Sequence, residues 1–298
     1  MTQWQRDVAT LLALGVGWGS TQPLGKIAAS SGHPPLVLVF WQTVIVVLVL
    51  GAITLAQGKR LVFTRRALVF FGVIACIGTV IPNVVFYTSV ARLPAGIMSI
   101  LISMVPMFAF PMALILSHDQ FEMKRLIGLL LGLTGVVLIA LPRSSLPDPA
   151  MLAFLPLAMV GPMFYAAEGV FVSRFGTAGM DPFQAMLGSS VVALMLLGGL
   201  LLGTGQWVNP APPWGKAEGA LLLSSALHAL LYSGYVGLAA RAGAVFATQT
   251  SYVVTLAGIC WAMLLLGERF SPLVWAAAAV MLIGISLVRP RAAQLPVS

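Results

Sequence analysis

Apolar residues fill this chain in long unbroken runs rather than in alternation. Ten runs can be traced, at about 8–28, 36–56, 67–89, 94–116, 125–142, 150–173, 183–203, 217–239, 244–266 and 272–288. Each is close to the roughly 20 residues that carry a helix across a hydrocarbon core. Short polar or Pro/Gly-rich stretches separate them, such as Gly32-His33-Pro34-Pro35, Gln57 to Arg66 and Gly205 to Lys216. In lipid, backbone N–H and C=O groups must bond within their own segment or around a closed barrel. The runs are continuous, whereas barrel strands alternate over about ten residues. The pattern therefore predicts an all-α membrane protein with ten transmembrane helices.

Composition narrows this further. The chain has 298 residues, 59% of them hydrophobic and 8% charged, with a mean hydropathy of +1.00. Soluble domains carry roughly 25% charged residues, so a soluble enzyme, a disordered chain and a secreted disulfide scaffold are excluded. Almost no length is left for an extramembrane domain. The first run lacks a clear cleavage site, which argues against a signal peptide. Cys76 and Cys260 both fall in apolar runs and are expected to be small buried hydrophobes.

The net charge of +8 is explained by topology rather than by nucleic acid, because Lys and Arg collect on the cytoplasmic side. With a cytoplasmic N-terminus, eleven of the 16 basic residues lie inside, including Lys59, Arg60, Arg65 and Arg66 after the second run. Lys26, Arg92, Arg143, Lys216 and Arg269 lie outside. Both termini are then cytoplasmic, in a multi-pass protein of the cell (inner) membrane.

The chain also matches itself. A shift of 149 puts Ala91-Arg92 on Ala240-Arg241, Ala95 on Ala244, Asp119 on Glu268, Phe121 on Phe270 and Gly135 on Gly284. A shift of 147 puts Gly32 on Gly179, Pro35 on Pro182 and Trp18 on Tyr165. The expected division is a first five-helix repeat over 1–143 and a second over 144–298. Five crossings per repeat is an odd number, so the second copy is inverted. Inverted repeats place a substrate site near the midplane between the halves.

Polar residues follow the same symmetry. Thr79 and Asn83 correspond to His228 and Tyr232, Ser99 and Ser103 to Thr248 and Tyr252, and Thr21 to Glu168. Gln42 and Thr43 stand opposite Ser189 and Ser190. Within the pairs of the third and eighth and the fourth and ninth runs, the i, i+4 spacing puts both residues on one helix face. Such groups are costly in hydrocarbon unless paired or wetted, which points to a shared cavity. For Ser and Thr the alternative is a bond back to a carbonyl of their own helix.

Glu168 is the one carboxylate placed inside a run. It can bind a substrate ammonium, carry a coupling proton, pair with a basic side chain, or reach toward Arg174 at the helix end. His228 is the one histidine inside a run, suited either to proton handling or to helix packing. Trp18, Tyr165, Tyr232 and Tyr252 fall on the polar faces and can stack on a ring or hold a cation. Trp41, Tyr87, Tyr235 and Trp261 are further aromatics away from the expected interfaces. The candidate cavity set is Trp18, Gln42, Asn83, Ser99, Ser103, Tyr165, Glu168, His228, Tyr232 and Tyr252. Pro23, Pro82, Pro106, Pro111, Pro156 and Pro162 are candidate kinks. Gly128-x-x-x-Gly132 with Gly135 predicts a close helix contact, either within the chain or between subunits.

No zinc motif, phosphate loop or cysteine cluster is present. No cofactor, no metal and no enzymatic activity are expected, and ATP-driven transport would need a separate subunit.

Trp18-Gly19-Ser20 in the first run, Ala91-Arg92-Leu93-Pro94-Ala95-Gly96 entering the fourth, and Ala240-Arg241-Ala242-Gly243-Ala244 entering the ninth resemble the drug/metabolite transporter superfamily. Glu268-Arg269-Phe270 before the tenth run fits the same resemblance, while its first-half counterpart, Asp119 beside His118, keeps the motif only in part. Within the superfamily the chain is most similar to EamA-type exporters, which include bacterial exporters of aromatic and other amino acids. The resemblance implies that helices one to four and six to nine line a substrate cavity, with five and ten peripheral. The expected function is secondary transport of amino acids or related small metabolites by alternating access, in a monomer or homodimer, with no nucleic-acid partner. Glu168 and His228 permit proton antiport, whereas a facilitative carrier needs neither to titrate. A nucleotide-sugar or phosphorylated-metabolite carrier is an alternative, but it would want several Lys or Arg in the cavity. A membrane-embedded enzyme or assembly factor would want a cluster of catalytic side chains at one interface.

Overall fold

The computed structural model describes residues 2–115, 123–140, 148–209, 213–242 and 250–287. These residues form ten helical crossings and no strand. They are α1 (Gln3–Ala29), α2 (Pro35–Ala56), α3 (Arg65–Val90), α4 (Ala95–Ile115), α5 (Met123–Ala140), α6 (Leu155–Phe175), α7 (Pro182–Thr204), α8 (Lys216–Ala242), α9 (Thr250–Leu266) and α10 (Pro272–Leu287). A 3-10 turn, Pro149–Phe154, leads into α6.

By length and hydropathy, α2, α3, α4, α7 and the stretch Pro149–Val172 qualify as membrane spans, and α5, α9 and α10 hold shorter apolar helices. Neither α1 nor α8 is among these spans, although each has 27 residues. Both carry many polar side chains, including Thr21, Gln22 and Lys26 on α1 and Ser224, Ser225 and His228 on α8.

Proline shapes two crossings. Pro82 has no N–H to give to Gly78 four residues earlier, and its ring crowds that carbonyl. The ladder opens into a π segment, Ala75–Val80, in the middle of α3. In α4 the helix stops at Ile102 and resumes at Val105, one residue before Pro106. Pro156, expected as a kink, instead stands in the first turn of α6, where a missing N–H costs nothing.

The duplication is visible in the backbone. Gly32 and Gly179, equivalent under the 147-residue shift, both take left-handed conformations, with φ of +76° and +79°. Each precedes a helix that opens on a proline, Pro35 for α2 and Pro182 for α7. Packing obeys the same exchange of one half for the other. Helix α1 packs between α8 and α9, as α6 packs between α3 and α4. Helix α2 meets α8 as α7 meets α3, and α2·α7, α4·α9 and α5·α10 are pairs of equivalents. Five crossings per repeat leave the two copies running opposite ways through the bilayer.

Helices α5 and α10 form an outer pair. A Cβ on Gly284 would stand 2.7 Å from the Gly128 carbonyl oxygen, and one on Gly135 would enter the Met281 side chain. A Cβ on Gly132 would overlap Met107 of α4. The glycine stripe of α5 is therefore used within the chain and gives no reason to invoke a dimer. The main core joins the start of α4 to α10, through Ile97, Ile100, Leu101, Ala277 and Met281.

Three expectations are corrected. Cys76 and Cys260 are exposed on the bundle surface rather than buried, since a membrane protein turns apolar residues outward to lipid as readily as inward. Trp41 is not an isolated mid-helix aromatic. It stacks with Phe40 and Trp207 and donates its ring N–H to the Val208 carbonyl, 3.3 Å away in the α7–α8 loop. Asp7, placed just ahead of the first run, falls within α1, which begins at Gln3, and is buried beside the Gln3 amide at 3.2 Å. Asp119, His118 and Thr248 lie outside the described residues.

Candidate functional site

A cavity of about 360 Å³ lies between the two halves. Every described residue of its wall comes from α1 to α4 or α6 to α9, and no described residue of α5 or α10 lines it. Helix α1 supplies Trp18, Thr21 and Gln22, α2 supplies Gln42, and α6 supplies Tyr165 and Glu168. Helix α8 contributes one continuous stripe of Ser224, His228, Tyr232 and Tyr235, spaced by four, four and three residues. Helix α3 adds Gly78, Asn83, Phe86 and Tyr87, while α9 adds its first turns at Thr250, Ser251 and Val254.

Glu168 is half-buried and faces the π segment of α3. A Cβ on Gly78 would stand 2.7 Å from its Oε1 and 3.0 Å from its Oε2, so the bare glycine makes room for the carboxylate. The opened ladder upstream of Pro82 is what turns Gly78 toward α6. No described basic residue pairs with Glu168. Arg174 lies over the Phe175 ring at 5.7 Å, so a helix-end pairing with Glu168 is not what forms.

Opposite, the Trp18 ring lies 5.6 Å from that of Tyr235 and 6.4 Å from that of His228, tilted at 58° and 55°. The Gln42 amide nitrogen donates to Asn83 Oδ1 at 3.2 Å, and Asn83 Nδ2 donates to the Thr79 carbonyl at 2.7 Å. That chain fixes both amides across α2 and α3. Among the described residues no group of three or more His, Cys, Asp or Glu could hold a metal.

Seven of the ten sequence candidates therefore stand on the wall, namely Trp18, Gln42, Asn83, Tyr165, Glu168, His228 and Tyr232. The other three stand elsewhere. Ser99 is fully buried, donates to the Ala95 carbonyl at 3.1 Å and packs where Gly258 leaves space beside Gly19. Ser103 is fully buried at the break in α4. Tyr252 packs against the main core. Ser99 is spent on the close contact of α4 with α1 and α9, while Ser103 lies just beyond Ile102, where the first helical segment of α4 ends. Small residues go where helices approach most closely. Ile102 and Val105 present α4 to the cavity instead.

Thr43 and Ser189 bond back to carbonyls four residues earlier, the alternative their chemistry always offers. Ser224 and Tyr235 were legible as extensions of the His228–Tyr232 stripe. Gly78, Val105 and Val254 carry no polar signal, and only the fold reveals them.

One end of the bundle is tied twice, within the first repeat by Lys26 and across the repeats by Glu268. Lys26 Nζ, in the last turn of α1, donates to the carbonyls of Val90 at 3.2 Å and Leu93 at 2.5 Å, where α3 turns into α4. Glu268, between α9 and α10, accepts the N–H groups of Ala95 at 2.8 Å and Gly96 at 3.0 Å. Four backbone groups freed at two helix ends are thus satisfied by one cation and one anion. At the other end Lys59 and Asp181 form an ion pair of 3.1 Å between the α2–α3 and α6–α7 loops.

Known proteins with this architecture can now be compared. A solved crystal structure superimposes with a TM-score of 0.62 at 15% identity, covering 93% of this chain and 95% of that one, a likeness of fold alone. Among curated proteins none matches the chain. The EamA-like transporter family model matches twice, at residues 6–141 and 153–289, once for each five-helix half whose packing repeats around the cavity. The chain belongs to the EamA-like transporter family.

Proposed function

We propose that this protein is an inner-membrane secondary transporter that exports amino acids, aromatic ones among them, or related small metabolites by alternating access. The observation that carries this reading is the hollow between two inverted repeats, lined by aromatic rings, amides and a single carboxylate. A volume of about 360 Å³ falls within the range of small-molecule sites. The repeats, taken as 1–143 and 144–298, rock against each other around it, and the seven wall candidates named above contact the substrate.

The termini are cytoplasmic in this reading. Lys59, Arg60, Arg65 and Arg66 lie in or just after the α2–α3 loop, at the end where α1 begins, as the bias of basic residues toward the cytoplasm requires. The end tied by Lys26 and Glu268 then faces outward and is the closed gate. A nucleotide-sugar or phosphorylated-metabolite carrier is disfavoured, because no Lys or Arg is among the described residues of the wall.

Counterflow in proteoliposomes, with labelled amino acids, nucleobases and nucleotide sugars in turn, tests the reading. Exchange of an amino acid or kindred metabolite supports it. Exchange of nucleotide sugars alone, or of nothing, overturns it.

A further inference from the structure

The wall of the cavity is unbalanced in charge. Among the described residues that line it, Glu168 is the one carboxylate, and no Lys or Arg stands there to neutralise it. Three described cations are engaged elsewhere. Lys26 is held by the Val90 and Leu93 carbonyls, Arg92 lies over the Phe154 ring at 5.8 Å, and Arg174 lies over Phe175. The single imidazole of the wall, His228, is packed in ring contact with Trp18. Asn83 turns its amide donors to the Thr79 carbonyl.

A carboxylate half-buried in a membrane-embedded cavity without a counter-charge is costly when ionised. A proton can relieve that cost, and so can a ligand that brings a cation. A ring cage stands ready for the rest of it, since aromatic faces attract cations and apolar bodies alike. A second carboxylate brought in by the ligand would find no cation and would stand near Glu168.

We infer that the cavity takes its ligand as an organic monocation, a protonated amine on an apolar, ring-bearing body, in preference to the amino acid with the same ring. The inference rests on the transport reading above and narrows it. Glu168 meets the ammonium, and Trp18, Tyr165, Tyr232 and Tyr235 enclose the ring.

Four compounds that share one phenyl ring and differ in charge separate the possibilities: phenethylamine, phenethyl alcohol, free phenylalanine and phenylpropionate. Equilibrium binding to the purified full chain in nanodiscs is expected to rank the amine first, by roughly tenfold or more over the alcohol and phenylalanine, with phenylpropionate last. Glu168→Gln should bring the amine down to the level of the alcohol. The affinity of the alcohol itself should stay within about twofold, which shows that the variant cavity is intact. Phenylalanine binding as tightly as the amine overturns the inference, as does an amine affinity that Glu168→Gln leaves unchanged, or no binding by any of the four. Transport is scored separately by counterflow. An amine that binds, with no amine or amino acid exchanging in counterflow, upholds the charge preference and removes the transport reading, while phenylalanine that outbinds the amine and exchanges does the reverse.

Discussion

Gly78 of α3 and Glu168 of α6 face each other so closely that one methyl group on the glycine would stand 2.7 Å from the carboxylate oxygen. The atom in the way is the far end of a flexible side chain, so the chain can absorb Gly78→Ala by turning the carboxylate aside. The expected outcome is a folded protein with a melting temperature close to the parent's and a weakened site. Substrate affinity should fall roughly tenfold, given what about 1 Å of misplacement costs a positioned group. A binding isotherm beside a thermal melt checks this, and a loss of stability with unchanged affinity would contradict it.

Energy coupling is tested at the same carboxylate. A group that takes a proton and substrate alternately must ionise, and an amide cannot. If export is driven by the proton gradient through Glu168, Glu168→Gln abolishes accumulation against a gradient in proteoliposomes. Accumulation equal to the parent's would show that the coupling proton is carried elsewhere, or that the protein is a facilitative carrier.

The ten crossings and the duplication were legible in the sequence because lipid imposes its rule on every residue of a run. Gly32 and Gly179 were aligned by their surroundings, and their shared positive φ is the physical content of that alignment. The α8 stripe was legible for the same reason, since His228 and Tyr232 repeat at a helical period. Ser99 was not, because periodicity gives a face but not what the face meets. Its hydroxyl is small enough to serve a tight three-helix contact with Gly19 and Gly258. The position of Gly78 depends on the ladder opening upstream of Pro82, which no spacing rule reports.

The outer pair of helices offers an internal control. Gly135 and Gly284 are equivalent in the repeat, yet their surroundings differ. A Cβ on Gly284 meets the Gly128 backbone oxygen at 2.7 Å, whereas on Gly135 it first meets the flexible Met281 side chain. Backbone cannot yield as a methionine can. Gly284→Ala should therefore destabilise by about 1–3 kcal/mol, and Gly135→Ala by less. Detergent-solubilised thermal melts of the two variants compare them directly, and equal shifts would argue against the difference.

Lys26, Val90 and Leu93 all belong to the first repeat, so the Lys26 tie breaks on opening only if α1 shifts against the α3–α4 turn, and removing the tie tests that movement. Lys26→Met keeps the length of the side chain but removes two charge-assisted hydrogen bonds to Val90 and Leu93. Such bonds contribute about 1.5–3 kcal/mol each, net of exchange with water, enough to shift a two-state balance. Gln22→Cys, placed on the cavity wall in a background where the exposed Cys76 and Cys260 are replaced by Ala, reports the shift. A membrane-impermeant maleimide added at the α3–α4 face should label it at least about tenfold faster in the Lys26→Met protein, while Lys26→Arg restores the slow rate. Glu268→Gln should act in the same direction, because it weakens the cap on Ala95 and Gly96. Labelling that does not respond to either change would mean that these contacts stabilise the helix ends without holding a gate.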